Sequence, residues 1–209
     1  MATQIVREPR WPAFIAMFAA ACLYWALPEQ LSVGPGWGLL AAIFVLLIPM
    51  AISTWQGAYR VARMLAFVAN GVITLAMIAS LSVLIQGLPT HRDSPQTLLR
   101  SAVALWITNI LVFALWYWKL DAGGPLGRDQ ARGCLDSSFL FPQMLTPEWR
   151  ASWSPHFMDY LFLAFNTSTA FSPTDTAPLT RWAKAGMMLQ SVISLTVVAL
   201  LAARAVNIL

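Results

Sequence analysis

Charged residues are scarce in this sequence. Only 11% of its 209 residues are Asp, Glu, Lys or Arg, whereas soluble domains contain roughly 25%. So few charges cannot cover the surface of a water-soluble globular domain, and they exclude a disordered, charge-rich chain. The net charge of +4 is too small for the basic face of a nucleic-acid-binding protein. Only two cysteines are present, which excludes a disulfide framework and a thiolate metal site.

Residues that commonly catalyse reactions or bind metals are also few. The two histidines, His91 and His156, lie in separate polar segments and lack the spacing of metal ligands. The sequence has no glycine-rich phosphate loop, no C-x-x-C and no H-E-x-x-H motif. We therefore expect neither an enzyme nor a metal site.

Long uncharged runs account for most of the sequence. Hydrophobic residues make up 58% of the chain, and ten residues are tryptophan, which concentrates at membrane–water interfaces. About 20 apolar residues cross a bilayer, and five runs approach that length: 11–27, 37–54, 64–88, 101–118 and 185–203. Basic residues ahead of the first run are also typical of a secretory signal, but we interpret this run as the first span. The sequence thus predicts an all-α integral membrane protein with five transmembrane helices.

A further uncharged stretch, residues 160–174, is too short and too polar for a typical span. Ser154 and Pro155 are typical of a helix start, and Pro173 would end the helix. A helix over 155–169 would be about 22 Å long, less than the roughly 30 Å hydrocarbon core. Asp159 in its first turn would stabilise the helix dipole. The pattern predicts a re-entrant pore helix and loop between the last two spans; a short sixth span is the alternative.

Residues 160–175 read Y-L-F-L-A-F-N-T-S-T-A-F-S-P-T-D. This segment resembles the pore helix and filter of potassium channels, which typically read aromatic-x-x-x-x-F-x-T-x-T-T-V-G-Y-G-D. The resemblance continues without gaps to residue 209: Pro178 and Thr180 match the outer mouth, and Ser194 matches the hinge glycine of the inner helix. The chain also resembles small bacterial membrane proteins of unknown function that carry this module.

The filter departs from the potassium-channel pattern. The signature T-V-G-Y-G corresponds here to A-F-S-P-T, so both glycines are missing. Filter glycines adopt left-handed backbone angles that cost other residues roughly 1–2 kcal/mol each, so a filter of standard geometry is not expected. The resemblance implies seven filter or pore residues: Thr169, Ala170, Phe171, Ser172, Pro173, Thr174 and Asp175. Gln190 and Ser194 are four residues apart on the inner helix and share one face, so we predict that both face the pore. The alternative is that their polar groups hydrogen-bond neighbouring helices in a packed bundle.

The resemblance divides the chain into two regions. Residues 1–97 would form a three-helix membrane region, and residues 98–209 a pore-like module. Within the module we expect an outer helix at 98–119, a polar loop at 120–154, a pore helix and filter-like loop at 155–178, and an inner helix at 180–207. The module implies a homotetramer surrounded by lipid in the bacterial cytoplasmic (inner) membrane.

We therefore predict a cation pore with weak or no potassium selectivity. It would need no cofactor, hold at most a monovalent cation and bind no nucleic acid. One alternative is a non-conducting accessory or structural subunit that keeps the channel scaffold beside an unidentified membrane partner. Another is a small transporter.

The distribution of basic residues and the resemblance to potassium channels predict opposite orientations in the membrane. If the N-terminus is inside and five helices span, ten of the thirteen basic residues are cytoplasmic, as the positive-inside rule favours. These ten are Arg7, Arg10, Arg60, Arg63, Lys119, Arg128, Arg132, Arg150, Arg181 and Lys184. A potassium-channel pore loop enters from outside, which would reverse all of them.

Overall fold

The computed structural model describes residues 8–32, 34–87, 95–130, 136–150, 153–169 and 175–206. These residues form nine α-helices and one ribbon of two short strands: α1 (Trp11–Trp25), α2 (Gly36–Trp55), α3 (Tyr59–Gly87), α4 (Pro95–Leu120), α5 (Gly124–Gln130), β1 (Phe139–Leu140), α6 (Pro142–Leu145), α7 (Pro147–Arg150), α8 (Phe157–Thr169), β2 (Ala177–Pro178) and α9 (Arg181–Val206). Four of the helices, α2, α3, α4 and α9, are long and apolar enough to cross a membrane. The predicted helical membrane class is confirmed at that level. Helix α1, with 15 residues, is apolar but shorter.

Tryptophan side chains mark both ends of α1 and α2. Trp11 and Trp25 end α1, Trp37 and Trp55 lie at or near the ends of α2, and all four are 58% to 95% exposed. Trp37 and Trp55 are separated by about 27 Å along the helix at 1.5 Å per residue, close to the roughly 30 Å thickness of a hydrocarbon core. Between them α2 exposes only apolar large side chains: Phe44, Val45, Ile48 and Ile52. This surface suits lipid rather than water.

Helix α4 lies at the centre of the bundle and packs against α1, α3, α8 and α9. Its C-terminal half is almost fully buried, including Val112, Ala114 and Leu115. Apolar burial in α4 is therefore continuous from one end of the core to the other, and the remaining helices are arranged around it.

One end of the bundle collects most of the described basic residues, and we call it the basic end. Helix α1 begins there, α2 ends, α3 begins and α4 ends, as shown by Arg10 over the Tyr59 ring (5.1 Å) and by Lys119 Nζ donating to Ala66 O (2.6 Å). Arg10, Arg60, Arg63, Lys119 and Arg128 lie at this end. Arg100, near the start of α4, lies towards the opposite end.

The polar segment predicted as a loop at 120–154 contains regular structure. Helices α5, α6 and α7 and strand β1 form within it, and β1 pairs antiparallel with β2, with Phe139 opposite Pro178 and Leu140 opposite Ala177. The sequence predicted a polar loop here and gave no sign of these short elements. The sequence signal was weak because each element is only two to seven residues long.

A buried ionic cluster holds this polar segment on the end of α4. The Arg128 guanidinium donates to Glu8 Oε2 from Nε (3.2 Å) and Nη2 (2.9 Å), and from Nη1 to the carbonyl oxygens of Trp118 and Asp121 (3.0 Å each). The side chains of Arg128 and Glu8 are only 1% and 4% exposed. Trp118 Nε1 donates to the second carboxylate oxygen of Glu8. We call Glu8, Trp118, Asp121 and Arg128 the Arg128 cluster.

The helices of the pore-like region differ from their predicted bounds by a few residues. Helix α4 begins at Pro95 rather than 98, and α9 covers Arg181–Val206. Helix α8 begins at Phe157 rather than at Pro155, because Asp159 Oδ2 accepts a hydrogen bond from the His156 backbone N–H (2.7 Å) and so caps the helix two residues later. Asp159 thus stabilises the start of α8 through a direct hydrogen bond.

The turn that follows α4 requires glycine at position 124. Gly124 has φ 79° and ψ −172°, a region open essentially to glycine alone. A Cβ atom at this position would lie 2.8 Å from the Lys119 carbonyl oxygen. The chain can therefore leave α4 and form α5 only if residue 124 has no side chain.

We expect Gly124→Ala to lower the free energy of unfolding by about 1–3 kcal/mol, the usual cost of such a backbone conformation, and to lower the midpoint of thermal unfolding in detergent. Gly71→Ala is the matched control, since nothing lies within 4 Å of a Cβ at this position in α3. Alanine there should leave stability unchanged or raise it by up to about 1 kcal/mol. Equal midpoints for the two variants would contradict this account of the turn.

Candidate functional site

Helices α8 and α9 both run antiparallel to α4. At the basic end the Phe157 ring contacts the Trp118 ring (5.9 Å), and further along α8 Ser168 accepts a hydrogen bond from Asn109 Nδ2 (3.3 Å). Helix α9 follows the same direction, because Gly186 lies at the Tyr117 ring and Ser194 accepts a hydrogen bond from Trp106 Nε1 (3.1 Å).

The first residues of α8 and α9 consequently lie at the same end of α4. The ribbon gives the same result: Ala177 in β2 pairs with Leu140, and the Phe139 ring beside it contacts the rings of Tyr160 (6.3 Å) and Trp182 (5.6 Å). The chain therefore returns to the basic end between Thr169 and Ala177.

Asp121 fixes the start of α8 against the end of α4. Its carboxylate is fully buried and accepts hydrogen bonds from the Tyr160 hydroxyl (2.6 Å), the Ser137 hydroxyl (2.8 Å) and the Ser138 backbone N–H. The Arg128 guanidinium lies 5.1 Å from the centre of the Tyr160 ring. The same group of charges that anchors the polar segment therefore also positions α8.

A second polar group lies deeper in the bundle, between α4, α8 and α9. Gln190 is fully buried; its Oε1 accepts from the Tyr117 hydroxyl (2.7 Å), and its Nε2 donates to Ala164 O (2.6 Å) and to Ser168 Oγ (3.0 Å). Ser194 donates to Ser168 O (2.6 Å). We call Asn109, Tyr117, Ser168, Gln190 and Ser194 the three-helix polar network.

The structure describes four of the nine predicted site residues. Gln190 and Ser194 come together in the three-helix polar network. Within one chain they therefore form interhelical hydrogen bonds, which was the alternative to lining a pore. Thr169 ends α8 and donates to Asn166 O (3.1 Å). Asp175 is exposed. Ala170, Phe171, Ser172, Pro173 and Thr174 lie outside the described residues.

Sequence reasoning missed Tyr117 and Trp106 and assigned Asn109 only to helix packing. A signal was present: Trp106, Asn109 and Tyr117 are spaced at three and eight residues, which places polar atoms on one face of α4. Asn109 Nδ2 also donates to Gln190 O (3.3 Å), whereas its buried Oδ1 has no partner among the described residues. Asn109 therefore links α4 to both other helices.

The described residues contain no group of three or more His, Cys, Asp or Glu side chains that could hold a metal ion. The chain matches no protein-family model, no curated protein and no solved structure.

We expect Gln190→Met to lower the free energy of unfolding by about 1–3 kcal/mol, because it keeps the side-chain volume but leaves the buried Tyr117 hydroxyl without its acceptor and removes the hydrogen bonds to Ala164 O and Ser168 Oγ. Thr196→Val is the control on the same helix, since the Thr196 hydroxyl donates only to Val192 O of its own helix (2.8 Å). Thermal unfolding in detergent measures both. The network would have no stabilising role if Gln190→Met unfolded at the same temperature as Thr196→Val.

Proposed function

We propose that residues 98–209 form a pore module related to potassium channels, with a non-standard filter and weak or no potassium selectivity. The observation that carries the proposal is the direction of α8. This helix has 13 residues, about 20 Å at 1.5 Å per residue, and it begins at the end of α4 to which the chain then returns. A re-entrant helix and loop between two full spans is the arrangement that the sequence predicts.

Two features of α8 and the segment after it suit a cation pore. The C-terminal end of α8 carries the negative end of its helix dipole, which favours a cation nearby. The segment that follows contains hydroxyl side chains and ends at the exposed Asp175, and oxygen atoms with a ring of carboxylates are typical of cation pathways.

The outward face of α9 supports assembly of several copies in the membrane. Beyond its first turn, which exposes Arg181 and Lys184, the exposed large side chains from 188 to 198 are apolar: Met188, Leu189, Val192, Leu195 and Val198. In a homotetramer these side chains would lie against other copies or against lipid. We extend the proposal to a tetramer of the bacterial cytoplasmic membrane, with α1 as the fifth span.

The distribution of charge favours an orientation opposite to that of potassium channels. Helices α8 and α9 begin at the basic end, which the positive-inside rule assigns to the cytoplasm. The proposed pore loop would then enter from the cytoplasmic side.

A non-conducting accessory or structural subunit is the second candidate. Gln190 and Ser194 already use their polar atoms within one chain, so the face of α9 that carries them is not free to line a pore. A transporter that uses Asp159 as a proton carrier is disfavoured, because this carboxylate caps α8.

Flux into liposomes tests the proposal. The full chain, reconstituted without other proteins, should pass potassium and sodium at comparable rates. Asp175→Asn should slow cation flux by about tenfold at low ionic strength, since a carboxylate at a pore mouth concentrates cations, and the difference should shrink as salt is added. Asp136→Asn removes another exposed carboxylate, which lies outside the filter-like segment, and should leave the flux unchanged.

The outcomes separate the two candidates. A chain that is folded in detergent but passes no ion at any pH or voltage contradicts the pore and favours the accessory subunit. Images with fourfold symmetry and the 160–175 segments on the axis would support the pore, and images of a monomer would contradict the tetramer.

A further inference from the structure

A cavity opens at the basic end, on the side of the bundle formed by α1–α4. It is partly open to the surroundings and is lined by residues of all four helices and of the turn that leads into α5. Its inner wall is apolar and includes Phe14, Met17 and Met50. The cavity is separate from the α8 segment and from the three-helix polar network.

The mouth of the cavity carries positive charge. Arg10, Arg63 and Lys119 line it, and no acidic residue does. Two carboxylates lie nearby, but Glu8 is paired with Arg128 (2.9 Å) and Asp129 with Arg10 (3.6 Å). Among the described residues, Lys119 and Arg63 have no carboxylate within 4.0 Å.

Lys119 brings a buried ammonium group with unused hydrogen-bond donors to this cavity. Its side chain is only 5% exposed, and its ammonium group donates one hydrogen bond, to Ala66 O. An ammonium group has three donors, and burying a charge without a counter-charge is unfavourable. Among the described residues, no further protein group meets the remaining donors of Lys119.

The position of the cavity indicates what kind of anion fits. The exposed Trp11 and Trp55 lie at the same end of α1 and α2, and exposed tryptophans mark the level of the lipid headgroups. The cavity thus offers cations at headgroup depth and apolar walls below them. Basic pockets between membrane helices are suited to anionic headgroups.

We infer that this cavity binds an anionic phospholipid, whose phosphate contacts Lys119 and Arg63 and whose acyl chain lies along Phe14, Met17 and Met50. The lipid supplies the counter-charge that Lys119 lacks. It also joins the N-terminal helices to α4 through a component of the membrane itself. The site does not depend on whether residues 98–209 conduct ions.

Native mass spectrometry of the full chain in detergent tests the site with two lipids of identical acyl chains. Phosphatidylglycerol should bind at least tenfold more tightly than phosphatidylcholine. Arg63→Gln should weaken phosphatidylglycerol binding about fivefold, as expected for one basic residue near a headgroup, and Lys119→Met should weaken it more. Arg60→Gln, on the same helix but outside the cavity lining, should change binding less than twofold.

Added inorganic phosphate distinguishes a lipid from a free anion. Because the apolar wall contributes to lipid binding, millimolar phosphate should not displace phosphatidylglycerol. For the same reason Met17→Gln should weaken lipid binding even though Lys119 is intact. Equal binding of the two lipids, equal effects of Arg63→Gln and Arg60→Gln, or displacement by phosphate would each overturn the inference. Because Arg63 is exposed, its replacement does not threaten the fold, and the result is interpretable even if Lys119→Met is unstable.

Discussion

The burial of one guanidinium at the end of α4 is the constraint on which the surrounding architecture depends. Arg128 cannot be removed from water unless its donors are satisfied, and its partners come from two distant parts of the chain: Glu8 before α1, and Trp118 and Asp121 at the end of α4. The Asp121 carboxylate in turn accepts a hydrogen bond from the Tyr160 hydroxyl of α8. A single polar cluster therefore fixes the N-terminal region, the polar segment and the short helix relative to the central helix.

Helix α4 presents two polar layers to its neighbours, and together they determine the direction of α8. The Arg128 cluster holds the beginning of α8 at the basic end, and the three-helix polar network holds Ser168 beside Asn109 about three turns away. Because α8 is attached to α4 at two different depths, its direction relative to α4 is fixed. The same network also binds α9. Hydrogen bonds therefore specify how α8 aligns with α9, which apolar packing alone would not do.

The sequence was sufficient to predict the long helices and the short helix α8. Bilayer thickness determines the length of an uncharged run, and proline restricts the backbone where a helix begins or ends. It was insufficient for the contacts that arrange them. Arg128 and Asp121 lie in a segment whose composition is typical of a solvated loop, and their burial depends on partners more than 100 and about 40 residues away, respectively. Gln190 was recognised as polar within a span, but its partners Tyr117 and Ser168 lie on two other helices, and the sequence does not show which polar residues of separate helices meet. The segment 170–174, where the resemblance to a filter is concentrated, lies outside the described residues.

The two-stranded ribbon closes a loop of the chain by backbone pairing, and its stem is Phe139–Leu140 and Ala177–Pro178. All of α8 lies inside this loop, and α9 begins three residues after the stem. The Phe139 ring in the stem contacts the rings of both Tyr160 in α8 and Trp182 in α9. The starts of these two helices are therefore coupled mechanically through one ribbon, and neither can shift along α4 without displacing the other.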